Sequence, residues 1–315
     1  MNISLYGKRQ KLLHTDSPIC AMTVRSELDD FCLQKTLQAG AQFLQIGKIL
    51  EIQTTTEGVT LITSNHRIEA SYLLGCDGAH SQVRLMTSNF KPDRTAVALE
   101  ATVPVDKLKS MPPLTFDFGI VGQGYGWLFP KGDHVNVGIY TRRPEETVFG
   151  KAQLNAYAIQ RIGHDELENV AGYPIATGGE GLALSQPRVL LAGDAAGFAE
   201  PLLGEGLHNA IKSGQMAALT ILHCLEAGNQ RLDHYPGLMA DIQRDLINTR
   251  RIAKAFYKFL PISYGILKHG AQQTIMDAFA AGYTLTQSKR AWLGAHIDEP
   301  PIIESYQRFY AENMK

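Results

Sequence analysis

Cysteine is scarce in this 315-residue sequence: Cys20, Cys32, Cys76 and Cys224 stand apart, with no CxxC pair. That spacing excludes a zinc ribbon or a dithiol redox centre and predicts reduced thiols in a cytoplasmic protein. An excess of charge of either sign is lacking too. Thirty Lys and Arg face thirty-one Asp and Glu, so nothing in the bulk field points to nucleic acid as a partner. No apolar run reaches the roughly 18 residues of a spanning helix, and the opening NISLYGKRQKLLH has no signal-peptide core, so contact with a membrane is expected to be peripheral at most. The ten histidines form no HxxxH or HExxH pair, which predicts no metal site, and GxSxG and Walker patterns are absent. A strand followed by GxGxxG and a helix is missing as well. GQGYG (122–126) and GEGLHN (204–209) lack the third glycine and the βαβ setting.

What is present reads as mixed α/β. Ile3–Leu5 and Lys11–His14 predict a hairpin, Cys20–Val24 a short strand, and Ser26 an N-cap for a helix over Glu27–Gln38. The segments FLQIGKILEIQ, GVTLITS and IEASYLLGC predict strands ending at an Asp77-Gly78 turn. AVALEATVPV, LTFDFGIV, YGWLFP and HVNVGIY predict an antiparallel sheet, followed by a helix over Lys151–Arg161. A last strand at Arg188–Gly193 runs into a long helix. Its Leu207, Ala210, Ile211, Gly214, Ala218, Ile221, Leu222 and Leu225 recur at helical spacing and predict the buried face. Helices continue beyond Leu232, broken near Pro236, Pro261 and Pro300-Pro301.

Four strings carry chemistry. In GDAAGFAEPLLGEGLHNAIKSG (Gly193–Gly214), a strand-end Asp194 suits hydrogen bonds from ligand hydroxyls, and the glycines let helix-terminal N–H groups approach a planar anionic ring. In CDGAHSQVR, Asp77, Gly78, Ser81 and Arg84 again follow a strand end. In TVRSELDDFCLQKTLQAGA, Arg25 offers a guanidinium fork for phosphate or hydroxyl oxygens. In YGWLFPKGDHVNVGIY, Tyr125, Trp127 and Phe129 alternate along a strand, presenting π-faces to an apolar ligand.

In this order the strings resemble the geranylgeranyl reductase family, within the p-hydroxybenzoate hydroxylase-like FAD-dependent oxidoreductases. The resemblance implies a flavoprotein fold in which an antiparallel substrate sheet and C-terminal helices interleave with flavin-binding segments. It implies that FAD is held by Arg25, Asp77, Gly78, Gly193, Asp194, Pro201, Gly204, Glu205, Gly206 and Leu207. It assigns Tyr125, Trp127, Phe129, Pro130 and Tyr140 to a prenyl substrate, with Trp127 and Tyr125 lining a cavity open toward Gly204–Gly206. The implied reaction is reduction of an isoprenoid carbon–carbon double bond by FAD that NAD(P)H or another donor reduces. No residue stands out as the proton donor.

Two departures bear on this. Gly138 is followed by Ile139 and Tyr140 where the pattern has GxG, which predicts a shorter or reshaped pocket if Tyr140 points inward. The missing GxGxxG predicts an N-terminally truncated fold that holds no stoichiometric FAD unless a separate N-terminal FAD-binding segment joins it. It also predicts exposed apolar surface on the helix from Glu27 and the strand ending at Gly193.

The expected regions are 1–92 (partial FAD-binding), 93–180 (substrate sheet), 181–230 (FAD-binding turn and helix) and 231–315 (helical). A flavin monooxygenase or halogenase, or an inactive fragment, are the rival readings. His208 is either near the flavin or packed on its helix face. The basic amphipathic stretch with Arg250, Arg251, Lys254 and Lys258 is either a cover for the substrate region or a membrane-surface helix.

Overall fold

The computed structural model describes residues 1–14, 18–87, 94–179, 183–226 and 232–280, with 283, 284, 286, 287, 290 and 293 beyond. The Pro300-Pro301 break lies outside them. The chain opens on the hairpin β1 (Asn2–Leu5) and β2 (Lys8–Leu12), then helix α1 (Arg25–Gln38). Next come β3 (Ile49–Thr54), β4 (Val59–Thr63), β5 (Arg67–Ala70), β6 (Leu73–Gly75) and helix α2 (Gln82–Thr87). Strands β7 (Arg94–Pro104), β8 (Thr115–Phe118), β9 (Gly124–Pro130) and β10 (His134–Thr141) precede α3 (Lys151–Ile162) and β11 (Glu168–Thr177). After β12 (Ser185–Gln186) and β13 (Val189–Leu191) the chain is helical: α4 (Leu207–Glu226), α5 (His234–Leu238), α6 (Ala240–Lys258), α7 (Leu260–Ile266) and α8 (Gln272–Ala280).

A seven-stranded sheet in the order β11-β7-β10-β9-β8-β1-β2 has two chemically different faces. Cross-strand partners share a face. The register therefore puts Phe116, Phe118, Tyr125, Trp127, Phe129, Asn136, Gly138 and Tyr140 on one side, with Ala98, Glu100 and Thr102 of β7. The other side, with Leu128, Val135, Val137 and Ile139, packs on Leu154, Tyr157 and Ala158 of α3. A buried ion pair adds to that contact. Asp117 is fully buried and accepts from Arg161 Nε at 2.6 Å, from the Tyr157 hydroxyl at 2.7 Å and from Ser4 Oγ.

The hairpin β1–β2 joins this sheet, with β1 parallel to β8, so residues 2–12 pair with the strands of 94–177 rather than with the rest of the expected region 1–92. Strands β6 and β13 run parallel, Leu73 beside Val189 and Gly75 beside Leu191. Their carboxyl ends, and with them the Asp77 and Asp194 turns, emerge side by side.

Several expectations are corrected. Cys20–Val24 forms no strand, and α1 begins at Arg25 with Val24 as its N-cap residue, so Ser26 lies inside the helix. The apolar stripe of α4 does not face the core: Ile211, Leu222 and Leu225 are each more than half exposed. The buried face carries Ser213, Met216, Ala217, Thr220 and Cys224. The two hydroxyls on it are burial-compatible because each donates back to its own helix, Ser213 to Asn209 O at 2.7 Å and Thr220 to Met216 O at 2.8 Å. Helix α1 buries no residue and leaves Phe31 and Leu33 exposed, as expected. Strand β13 is buried throughout, against the expectation for it.

Candidate functional site

The turn after β13 is fixed by backbone and side chains together. Gly193 takes φ +57° and passes so close to α4 that a Cβ would stand 3.1 Å from Ala210 Cβ. Its N–H donates to Ser213 Oγ at 2.9 Å, and Asn209 Nδ2 donates to Phe198 O at 2.8 Å, which pins the start of α4 against the strand end. Glu205 Oε1 accepts the His208 N–H at 3.0 Å, capping α4. Gly206 brings the helix start against Asp194, whose Oδ1 lies 3.1 Å from where a Cβ would be, and Leu207 opens the helix there.

Asp194 is half-buried, and burial pushes its carboxyl above the usual range, against a Ala176 N–H and the Arg25 and Arg84 charges that pull it down. Arg25 thus acts on Asp194 through space while its side chain stays largely exposed and pairs with Asp29 at 3.3 Å. Arg84 is buried and joins the two turns, donating to Asp194 O at 3.2 Å, Ala195 O at 2.6 Å and Ala79 O at 2.7 Å. The Asp77 carboxylate is spent on its own helix, accepting from Ser81 Oγ at 2.5 Å, Gln82 N at 2.7 Å and Val83 N at 3.1 Å. Gly78, at φ +78°, has open space where a Cβ would point.

The aromatic face meets this turn through three phenols. Tyr125 donates to Leu203 O at 2.5 Å, Tyr257 to Leu202 O at 2.8 Å and Tyr140 to Pro201 O at 3.5 Å. Tyr140 points inward, its ring 5.2 Å from that of Tyr125, and a Cβ on Gly204 would stand 2.7 Å from it. Trp127 lies over Gly138 and donates from Nε1 to Asn136 Oδ1 at 2.6 Å. Tyr125 and Trp127 are each only 5% exposed, so they form a filled aromatic layer where a cavity was expected. Phe129 and Pro130 are half-buried.

Glu200, Tyr257 and Lys131 escaped the sequence reading. The Glu200 carboxylate folds back under the turn to accept the Leu202 and Leu203 N–H groups, the latter at 2.8 Å, and burial pushes its pKa up to about 7. A glutamate immediately before proline at a turn was the available signal.

No family model matches the chain. It is 33% identical over 277 residues to an uncharacterized protein of Methanosarcina barkeri, covering 85% of this chain and 70% of that one. It is 27% identical over 285 residues to the chloroplastic geranylgeranyl diphosphate reductase of Oryza sativa subsp. japonica, covering 83% of this chain. A geranylgeranyl bacteriochlorophyll reductase-like protein of Thermoplasma acidophilum superposes with a TM-score of 0.68 at 20% identity, over 93% of this chain and 78% of that chain. The chain belongs to one family with the Methanosarcina protein, and the named relatives it resembles are geranylgeranyl reductases. It spans 60% of the rice relative's length. The fold is shared more widely: CtdE, solved in complex with FAD and a substrate, superposes with a TM-score of 0.61 at 14% identity, over 82% of this chain and 71% of that chain.

The residues of this geranylgeranyl reductase relative fit the isoalloxazine and ribityl half of FAD. Among the described residues the Asp194 carboxylate receives no hydrogen bond from a side chain, Gly78 leaves a clear approach, and α4 starts where the two strands end. Gly204, at φ +77° and with a Cβ only 2.7 Å from the Tyr140 ring, is required by the packing itself, and Gly206 fits closely against the Asp194 carboxylate, before any ligand is considered. Among the described residues, no cluster suits a metal ion and no helix is long and apolar enough to cross a membrane.

Proposed function

We propose that this chain forms the flavin-facing and substrate-facing part of an FAD-dependent reductase acting on carbon–carbon double bonds of a geranylgeranyl-type isoprenoid. The observation that carries this is the junction between the strand-end turn and the aromatic sheet: Tyr125, Tyr140 and Tyr257 hydrogen-bond successive carbonyls of Pro201–Leu203. A ligand over the turn and a ligand on the aromatic face are thereby neighbours. The names of the rice and Thermoplasma relatives support the isoprenoid class.

Asp194 would hold ribityl hydroxyls, with Arg25 close enough to affect it electrostatically, and the N-terminal end of α4 would favour negative charge on the ring. Bound there and reduced by NAD(P)H or another donor, FAD would supply a hydride. The aromatic layer excludes water and offers π-density to an apolar chain. Glu200 holds a carboxyl proton that exchanges near neutral pH beneath the same turn. The 315 residues contain no GxGxxG fingerprint, so contacts to the ADP half are assigned to other residues or to a partner segment. Exposed Phe259, Ile262 and Ile266 beside exposed Lys254 and Lys258 suit peripheral contact with an anionic membrane.

The test is anaerobic incubation with chemically reduced FAD and geranylgeranyl diphosphate, read by mass spectrometry. Products heavier by two hydrogens per double bond support the proposal. A hydroxylated or halogenated aromatic product formed only with oxygen would favour the monooxygenase or halogenase reading instead.

A further inference from the structure

The aromatic row of β9 does not end in an apolar residue. Tyr125, Trp127 and Phe129 alternate onto one face, and the next position of that parity is Lys131, whose N–H still pairs with His134 O at 2.8 Å and so continues the hairpin. By strand rise the row spans about 20 Å from Tyr125 to Lys131. Its burial is graded. Tyr125 and Trp127 are sealed near the Pro201–Leu203 turn, whereas Phe129 and Lys131 are half-buried. The row is thus closed at the turn and open at its cationic end.

The Lys131 ammonium is tied by one hydrogen bond to Thr23 O, two residues before Arg25, and no carboxylate lies within ion-pair distance of it among the described residues. Burial lowers its affinity for the proton and the nearby Arg25 charge adds to that, while Glu100 and Cys20 act against them. A partly desolvated ammonium without an ion-pair partner, close to a guanidinium, gains from an anion. The tether to Thr23 alone accounts for one of its three N–H donors.

We propose that Lys131, with Arg25 beside it, reads a phosphate-type anionic head on the ligand whose apolar chain starts over Phe129, at the open end of the row. The assignment rests on the isoprenoid reading of the site and adds where the polar end sits: head at Lys131, chain beginning at Phe129.

The test is calorimetric titration of the 315-residue chain with geranylgeranyl diphosphate, geranylgeraniol and inorganic pyrophosphate. Wild type should bind the diphosphate at least about tenfold more tightly than the alcohol, the scale of a charge-assisted contact. Lys131→Met, which keeps most of the stem, should bring the two within about threefold by weakening the diphosphate alone, and Lys131→Arg should keep the preference. An unchanged ratio in Lys131→Met overturns the proposal, as does a wild type without preference. If neither prenyl compound binds but pyrophosphate does in a Lys131-dependent way, the isoprenoid reading fails and the anion site stands. If saturating FAD abolishes that pyrophosphate binding, the anion read there is the flavin's own and the head assignment is overturned.

Discussion

Replacing Glu200 with glutamine should alter the pH dependence of stability in a direction opposite to that of most carboxylates. Burial raises the Glu200 pKa from 4.5 to about 7, so the folded chain holds a proton that the unfolded chain releases earlier. Below pH 4.5 both states are protonated and the group is neutral in the balance. As pH rises from 4.5 to about 7 the unfolded state ionises first and stability falls; above about 7 the loss is complete. At about 1.4 kcal/mol per pH unit the interval corresponds to roughly 3 kcal/mol, and solvent reaching the half-buried side chain reduces this to about 2. Glu200→Gln keeps a carbonyl acceptor for one of the Leu202 and Leu203 N–H groups, a loss that is the same at both pH values, and removes the titration. Urea denaturation at pH 5 and pH 8 should show the wild type losing about 2 kcal/mol more than the variant between the two. Identical pH differences in both proteins would refute the reasoning.

Three further outcomes follow from packing. Gly138→Ala places a Cβ 2.0 Å from Trp127 Cζ2, so the ring must swing and strain its bond to Asn136; about 1–3 kcal/mol should be lost, with a shift in tryptophan emission, checked by thermal melts and fluorescence. Arg161→Leu leaves the Asp117 carboxylate buried without its cation and should cost about 3–5 kcal/mol in denaturant unfolding, an effect that Asp117→Asn in the same background should partly reverse. Ile262→Asp, at a position 66% exposed, should leave the melting temperature unchanged while reducing co-sedimentation with anionic vesicles several-fold; equal sedimentation would remove the membrane proposal.

The sheet strands and the strand-end turn were legible because their signals are local: period-two aromatics, a strand-terminal Asp, glycines at positive φ. The orientation of α4 was not, because apolar periodicity names a stripe without saying what covers it, and the core instead took the face whose Ser213 and Thr220 hydroxyls bond within the helix. Asp77 shows a similar limit. Its place in a motif suggested a ligand contact, while its carboxylate is fully engaged in capping α2, a choice decided by backbone geometry five and six residues on. The placement of β1–β2 in the large sheet depends on a parallel pairing with β8 across more than a hundred residues, beyond the reach of local pattern.

The central claim is that the turn at Asp194, with α4 behind it, holds the flavin, and a fluorescence titration of the chain with FAD tests it most directly. Asp194→Ala should weaken flavin binding by at least about tenfold, the loss of charge-assisted hydrogen bonds to a carboxylate, with an unchanged circular dichroism spectrum. Equal affinity of wild type and variant for FAD, with both folded, would contradict the placement of the flavin at this turn.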